Sequence, residues 1–190
     1  MATPTGRSWH GILVMRTAAG KSCQRGRSDA EGDLAMSTVK SPLSEDARKA
    51  TGTALQGSLV DLIDLHLLAK QAHWNLQGRN FRSIHLQLDE VVDLARGHAD
   101  TVAERAVAIG VNPDGRARTV ADSTKVRQLD AGYLHDDKVV AAITEILAEM
   151  SKRFRERIET TGETDLVTQD LLTTVAQDLE KQHWMFEAQR

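Results

Sequence analysis

Five side chains able to ligate a metal fall in one stretch of the sequence: His73, His85, Asp89, Asp100 and Glu104, at successive spacings of 12, 4, 11 and 4. Two imidazoles and three carboxylates, with no thiolate, suit a non-haem Fe(II) site with open positions, and suit Zn(II) or Mn(II) less selectively. The segment from Phe81 to about Gly110 reads as one long helix, entered through the turn Gln77-Gly78-Arg79-Asn80. At about 100° per residue, steps of 4 and 11 fall about 40° and 20° beyond whole turns. His85, Asp89, Asp100 and Glu104 therefore share one slightly spiralling stripe. His73 closes the preceding helix and is placed to fold back towards His85. A plain solvated face accounts for any one of these residues. It accounts poorly for a stripe interleaved with the apolar Ile84, Leu88 and Val92.

One metal cannot be held by the whole stripe. Asp89 and Asp100 are separated by roughly 16 Å along the helix axis, whereas metal–ligand bonds are only about 2.0–2.6 Å long. The chain thus carries two half-sites, His73/His85/Asp89 and Asp100/Glu104. A second copy of the helix, antiparallel across a two-fold axis, brings the first half of one chain against the second half of the other. An isologous contact does this twice. The spacing predicts metal sites between subunits, two per dimer.

This segment resembles the ferroxidase signature of the Dps family, the DNA-binding proteins from starved cells, which are miniature ferritins. The resemblance rests on His73-Trp74-Asn75, on His85 and Asp89, and on Asp100 and Glu104 within DTVAER, and it runs from about Ser41 to the C-terminus. It implies an all-α, ferritin-like four-helix bundle with a short helix in the long crossover between the second and third helices. It implies assembly of homodimer contacts into a dodecameric shell. The implied activity is that of a ferroxidase and iron-storage protein: a two-iron Fe(II)/Fe(III) site at the dimer interface, oxidation preferably by hydrogen peroxide, and ferric oxide stored in the cavity, protecting DNA from oxidative damage. Asp89 and Glu104 are best placed to bridge two irons or to hold the higher-affinity one. Trp74 is expected either to pack in the core or to lie against the site and intercept an oxidising equivalent. Acids near the start of the last helix line three-fold pores in Dps-like shells, and Asp165 and Asp170 match by position; solvated helix-start acids are the plainer reading.

The rest of the chain must position these residues. Its 190 residues suit one domain with a sizeable core. A formal net charge of −3 gives no global basic field. The prolines, Pro4, Pro42 and Pro113, all lie outside the helical patterns, which favours an all-helical chain. The single cysteine, Cys23, rules out an internal disulfide framework and fits a cytoplasmic location, nucleoid-associated if DNA is bound.

Residues 1–40 are a different material, rich in Gly, Ser, Thr and Arg and without sustained periodicity, and are expected to be disordered. Arg7, Arg16, Lys21, Arg25 and Arg27 precede the first acid, Asp29. Two readings stand. The arm is a basic tail that holds DNA phosphates without sequence preference, which would make the protein mainly a structural DNA-compacting one. Alternatively, translation starts at Met36 and residues 1–35 are not made, which leaves a short tail with Lys40. Its apolar run Gly11–Met15 is too short for a secretory or membrane segment.

Within residues 41–190, Ser44 caps a first helix that runs to about Asn75, with Leu55, Leu59, Leu62, Ile63 and His66 on its apolar face. Gly110 to Asp137 is a long connection with a short helix expected at Asp122–Leu129. A crossover of this length lets the third helix run parallel to the second. The third helix is expected from about Asp137 to Thr161, ended by Gly162, and the fourth from Thr164-Asp165 to about Ala188. A di-iron site inside one subunit needs a Glu-x-x-His motif on each of two helices. Only Glu180-Lys-Gln-His183 is present, so Glu180 and His183 are read as structural.

Overall fold

The computed structural model describes residues 39–190. Apart from its last two positions, the basic arm lies outside the described residues. Ser44 opens α1 (Glu45–Asn75): its hydroxyl accepts the Ala47 N–H, and Glu45 and Asp46 place negative charge in the first turn, where the helix dipole favours it. A tight turn leads to α2 (Phe81–Ala108), which carries the ligand stripe. After the crossover, α4 (Asp136–Thr164) and α5 (Leu166–Glu187) form a second hairpin. The pairs α1/α2 and α4/α5 pack along their lengths, and α1 also packs on α4 and α2 on α5, closing a four-helix bundle. Among the described residues, no helix is long and apolar enough to cross a membrane.

The core lies on the bundle axis. Leu55, Leu62 and Leu65 of α1, Leu88 and Val91 of α2, Ile143, Leu147, Met150 and Phe154 of α4, and Leu172, Leu179 and Phe186 of α5 are fully buried. Each such side chain contributes about 1.5–3 kcal/mol relative to exposure. This burial fixes the rotation of α2, and hence the direction in which its ligand stripe points.

Two dipeptides that gave no strand signal, β1 (Leu76–Gln77) and β2 (Leu134–His135), pair in parallel, with Leu76 opposite Leu134. They stand immediately before α2 and α4, so those two helices start at the same end of the bundle and run parallel. Asp136 strengthens the join: its Oδ2 accepts the Asn80 N–H at 2.8 Å. Gly78 makes room for it. Its φ of +141° is a conformation that side chains disfavour, and a Cβ there would stand 2.2 Å from the Asp136 carboxyl carbon.

The crossover departs from expectation. Its short helix, α3, spans Ala117–Ser123 and not Asp122–Leu129. Asp114 explains the shift, because its carboxylate accepts from Arg116 N–H and from the Thr119 hydroxyl and so gathers the chain one turn earlier. Downstream, Thr124 turns its hydroxyl to Asp64, and Val126 is buried in non-helical conformation.

The end of α4 also differs. The helix passes through Gly162 and stops at Asp165, whose backbone is extended at φ −161° and ψ 100°. A Cβ at position 162 would meet the Gln169 amide at 2.4 Å, so the glycine admits the neighbouring helix rather than ending its own. Asp165 caps α5 by accepting from the Thr168 N–H and hydroxyl, and Arg105 of α2 donates to the same oxygen.

Candidate metal centre

Leu76 and the β1/β2 pair end α1 and reverse the chain so that the last turn of α1 lies against the first turns of α2. His73 and His85 meet there, their rings stacked with centroids 3.6 Å apart at 21°. The bonds that hold them are reciprocal. His73 Nδ1 lies 3.0 Å from the His85 carbonyl oxygen, and His85 Nδ1 lies 3.2 Å from the His73 carbonyl oxygen. A carbonyl only accepts, so both Nδ1 atoms are assigned as donors, which leaves both Nε2 lone pairs for a metal. A carbonyl behind a ligating imidazole is the usual device for fixing its tautomer and orientation.

Asp89, one turn after His85, completes the cluster. Ligand atoms of His73, His85 and Asp89 all lie within 4.8 Å of one another, and theirs is the metal-capable group found among the described residues. His73 is buried at 7% exposure, while His85 and Asp89 are half-buried. The site therefore has a closed back and an open front. Phe81 tilts against His85 with centroids 4.9 Å apart, covering one side.

Lys70 was not legible as part of this site. One turn before His73, its Nζ lies 2.6 Å from Asp89 Oδ1 and 3.3 Å from His73 Nε2. Its hydrogen bond to Asp89, with the nearby His73 and His85 adding, holds that carboxyl below the usual carboxylate range despite some desolvation. Asp89 thus presents an anionic oxygen to an incoming cation. The only signal for Lys70 was its position three residues before His73, which reads equally well as a solvated face.

Asp100 and Glu104 lie on the same helix, further along, and both are exposed. The chain does not bring them to His73, His85 and Asp89. Arg105, beside Glu104, orients Asp165 instead, with Nη2 to Oδ2 at 2.5 Å. Burial opposes ionisation of Asp165, but Arg105 and Thr168 outweigh it and set the carboxyl below its ordinary value. Asp165 is 8% exposed and its Oδ2 accepts from Arg105 and Thr168, so within this chain it acts as a cap. Asp170 is exposed.

The remaining sequence candidates separate cleanly. Trp74 is 66% exposed and is not a core residue of this chain. Glu180 pairs with Arg155 at 2.6 Å and His183 faces Glu187 at 3.8 Å, so the Glu-x-x-His motif assembles no site. His98 bonds Asp178 at 2.8 Å. His66 is partly buried, and its Nδ1 has no hydrogen-bond partner among the described residues; burial first, and then the Arg96 charge, disfavour its protonated form.

Comparison with known proteins gives a concordant result. Residues 52–190 match the ferritin-like domain family. The chain is 35% identical over 153 residues to the DNA protection during starvation protein of Agrobacterium fabrum, covering 79% of this chain and 93% of that one. It is 38% identical over 146 residues to the protein of the same name from Mycolicibacterium smegmatis, covering 74% and 78%. A solved structure of Mycobacterium smegmatis Dps, in its tetragonal form, superposes with a TM-score of 0.76 at 32% identity, covering 80% of this chain and 92% of that one.

Proposed function

The chain belongs to the Dps family of ferritin-like proteins, and from that premise we propose that it is a ferroxidase whose two iron-binding centres per dimer are each shared between two subunits. The observation that carries this reading is the reciprocal His73/His85 clasp beside Asp89. It offers two imidazole nitrogens and one anionic oxygen at an open front, with no further ligand in the cluster among the described residues. Asp100 and Glu104 of a two-fold mate complete the set, because they lie too far along α2 to serve their own subunit.

Fe(II) is the substrate. Carboxylates from both subunits neutralise and span two hard cations, while the imidazoles favour iron over magnesium or calcium. Two Fe(II) ions supply two electrons, and hydrogen peroxide takes them with two protons, breaking its O–O bond to give two waters. Pairing the irons lets both electrons pass to one peroxide and withholds the single-electron step that would release hydroxyl radical. The oxidised iron is then stored as ferric oxide within a dodecameric shell, and DNA is spared oxidative damage. Anaerobic oxidation of Fe(II), with and without added peroxide, tests the reading in the wild type and in Asp89→Ala. Rapid peroxide-dependent oxidation that Asp89→Ala loses is the expected result. Equal rates in both proteins, no faster than free iron in buffer, would overturn it.

A second reading, physical compaction of DNA, rests on the five basic residues of the arm that precede its first acid. Deleting residues 1–40 is then expected to abolish retention of DNA and to leave iron oxidation intact. Unchanged retention at the same salt concentration would remove the arm from consideration.

A further inference from the structure

Away from the ligand stripe, two arginines of α4 share one buried acid of α1. Arg153 Nε at 3.1 Å and Arg157 Nη2 at 2.7 Å both reach Asp61 Oδ2, and Asp61 is 2% exposed. One carboxylate cannot balance two guanidinium groups, so the triad keeps one positive charge. Its hydrogen bonding is also incomplete: Arg153 Nη2 and Arg157 Nη1 are buried and have no partner among the described residues. Buried, unpaired donors on a charged group are costly and call for an acceptor.

A cavity of about 610 Å³ adjoins the triad, with walls from α1, α3 and α4. Arg157, Asp61 and Gly57 line it on one side, and Ser123 and Lys125 on another. Gly57 is what gives Arg157 its place, since a Cβ there would stand 2.9 Å from Nη2. The Ser123 hydroxyl and the Lys125 ammonium are engaged by no described residue. The other acid of the lining, Asp114, is matched by Arg116, which contacts both its oxygens at 2.9 and 2.6 Å. With that pair neutral, the triad and Lys125 leave the cavity two positive charges in excess.

We propose that this cavity binds a small oxyanion, of the class of inorganic phosphate or a phosphate monoester, with Arg157, Lys125 and Ser123 as donors. Arginine and lysine supply charge-assisted hydrogen bonds to tetrahedral oxyanions, and the serine adds a neutral one. Arg157 Nη1 is covered in this state, so binding requires the guanidinium to turn. The Arg157 side chain is only 17% exposed. That recess admits a free anion and holds the arginine back from the backbone of a nucleic acid.

The test is titration of the full-length, metal-free protein with inorganic phosphate, followed by calorimetry and by thermal melting. Saturable uptake of one phosphate per chain is expected, with a melting temperature that rises with phosphate. Phosphate and sulfate should act at an ionic strength where chloride does not. Arg157→Gln and Lys125→Gln should each weaken binding about tenfold, the loss of one charge-assisted contact. Should Arg157→Gln fail to fold for want of its bond to Asp61, Lys125→Gln at an exposed position decides alone. No saturable uptake, or uptake that Lys125→Gln leaves unchanged, overturns the proposal. So does binding of duplex DNA that depends on Lys125 while free phosphate does not bind. Each readout is independent of iron oxidation.

Discussion

Lys70 Nζ stands 2.6 Å from Asp89 Oδ1, the carboxylate that completes the metal-capable cluster with His73 and His85. A cation from the chain's own sequence thus occupies the oxygen a metal would use. An entering ion must displace it, and both side chains are open enough for that exchange. Lys70→Met is expected to tighten binding of Co(II), used as a redox-inert probe, by roughly a few-fold, as befits a partly exposed pair. Calorimetric titration checks this, and weaker binding in the variant would make Lys70 a supporting residue and not a competitor.

Sharing of the site between subunits can be tested without a structure of the assembly. Asp89→Ala and Glu104→Ala chains should each be inactive alone. Refolded together at equal amounts and random pairing, they should recover about a quarter of the wild-type sites, because half the dimers are mixed and each mixed dimer keeps one intact centre. Peroxide-dependent iron oxidation of the mixture measures this. No recovery, with mixed dimers verified by mass spectrometry, would place each centre within a single chain.

The turn that sets the two histidines against each other depends on Gly78 and Asp136. Gly78→Ala introduces both an unfavourable φ and a collision with the Asp136 carboxyl group. Asp136→Ala leaves the turn flexible by releasing the Asn80 N–H. Both variants should weaken Co(II) binding and alter its visible absorption spectrum, with the bundle still helical by circular dichroism. Spectra identical to the wild type would show that the clasp forms without help from α4.

Asp165 gives the fold a defined response to acid. Its carboxyl is held below the ordinary value by Arg105 and Thr168, so its stabilisation is fully present above the ordinary carboxylate range and is lost as pH falls through the lower folded value. Asp165→Ala orphans Arg105 and removes the α5 cap, and is expected to cost about 3–5 kcal/mol at neutral pH. Denaturant melts should show the gap from wild type closing at strongly acidic pH. A gap that stays constant would assign the loss to packing alone.

Much of this was written in the spacing of residues. Ser44 announced the start of α1, the 3.6-residue periodicity announced the helix faces, and steps of 4 and 11 announced the stripe of α2. His73 and His85 were expected to meet because only a short turn divides their helices, and their rings do stack. What stayed hidden depended on distant partners. Gly162 reads as a helix terminator until Gln169 of α5 is seen beside it, and α3 begins early because Asp114 gathers the chain. Lys70 looks like any solvated lysine until α2 brings Asp89 to it. A strand of two residues, such as β1 or β2, has no period to detect.

Each ring of the His73/His85 clasp takes an orienting bond from a main-chain carbonyl, and His73 Nδ1 also stands 3.2 Å from Asp89 Oδ1. Many ligating histidines are steered by a neighbouring carboxylate, which can mutate or change its protonation state. A peptide oxygen does neither. The aim of the His85 ring is therefore insulated from sequence drift around it and from the acidity of its surroundings, whereas His73 divides its Nδ1 between a peptide oxygen and the Asp89 carboxylate and keeps one tie to the part of the centre that can change.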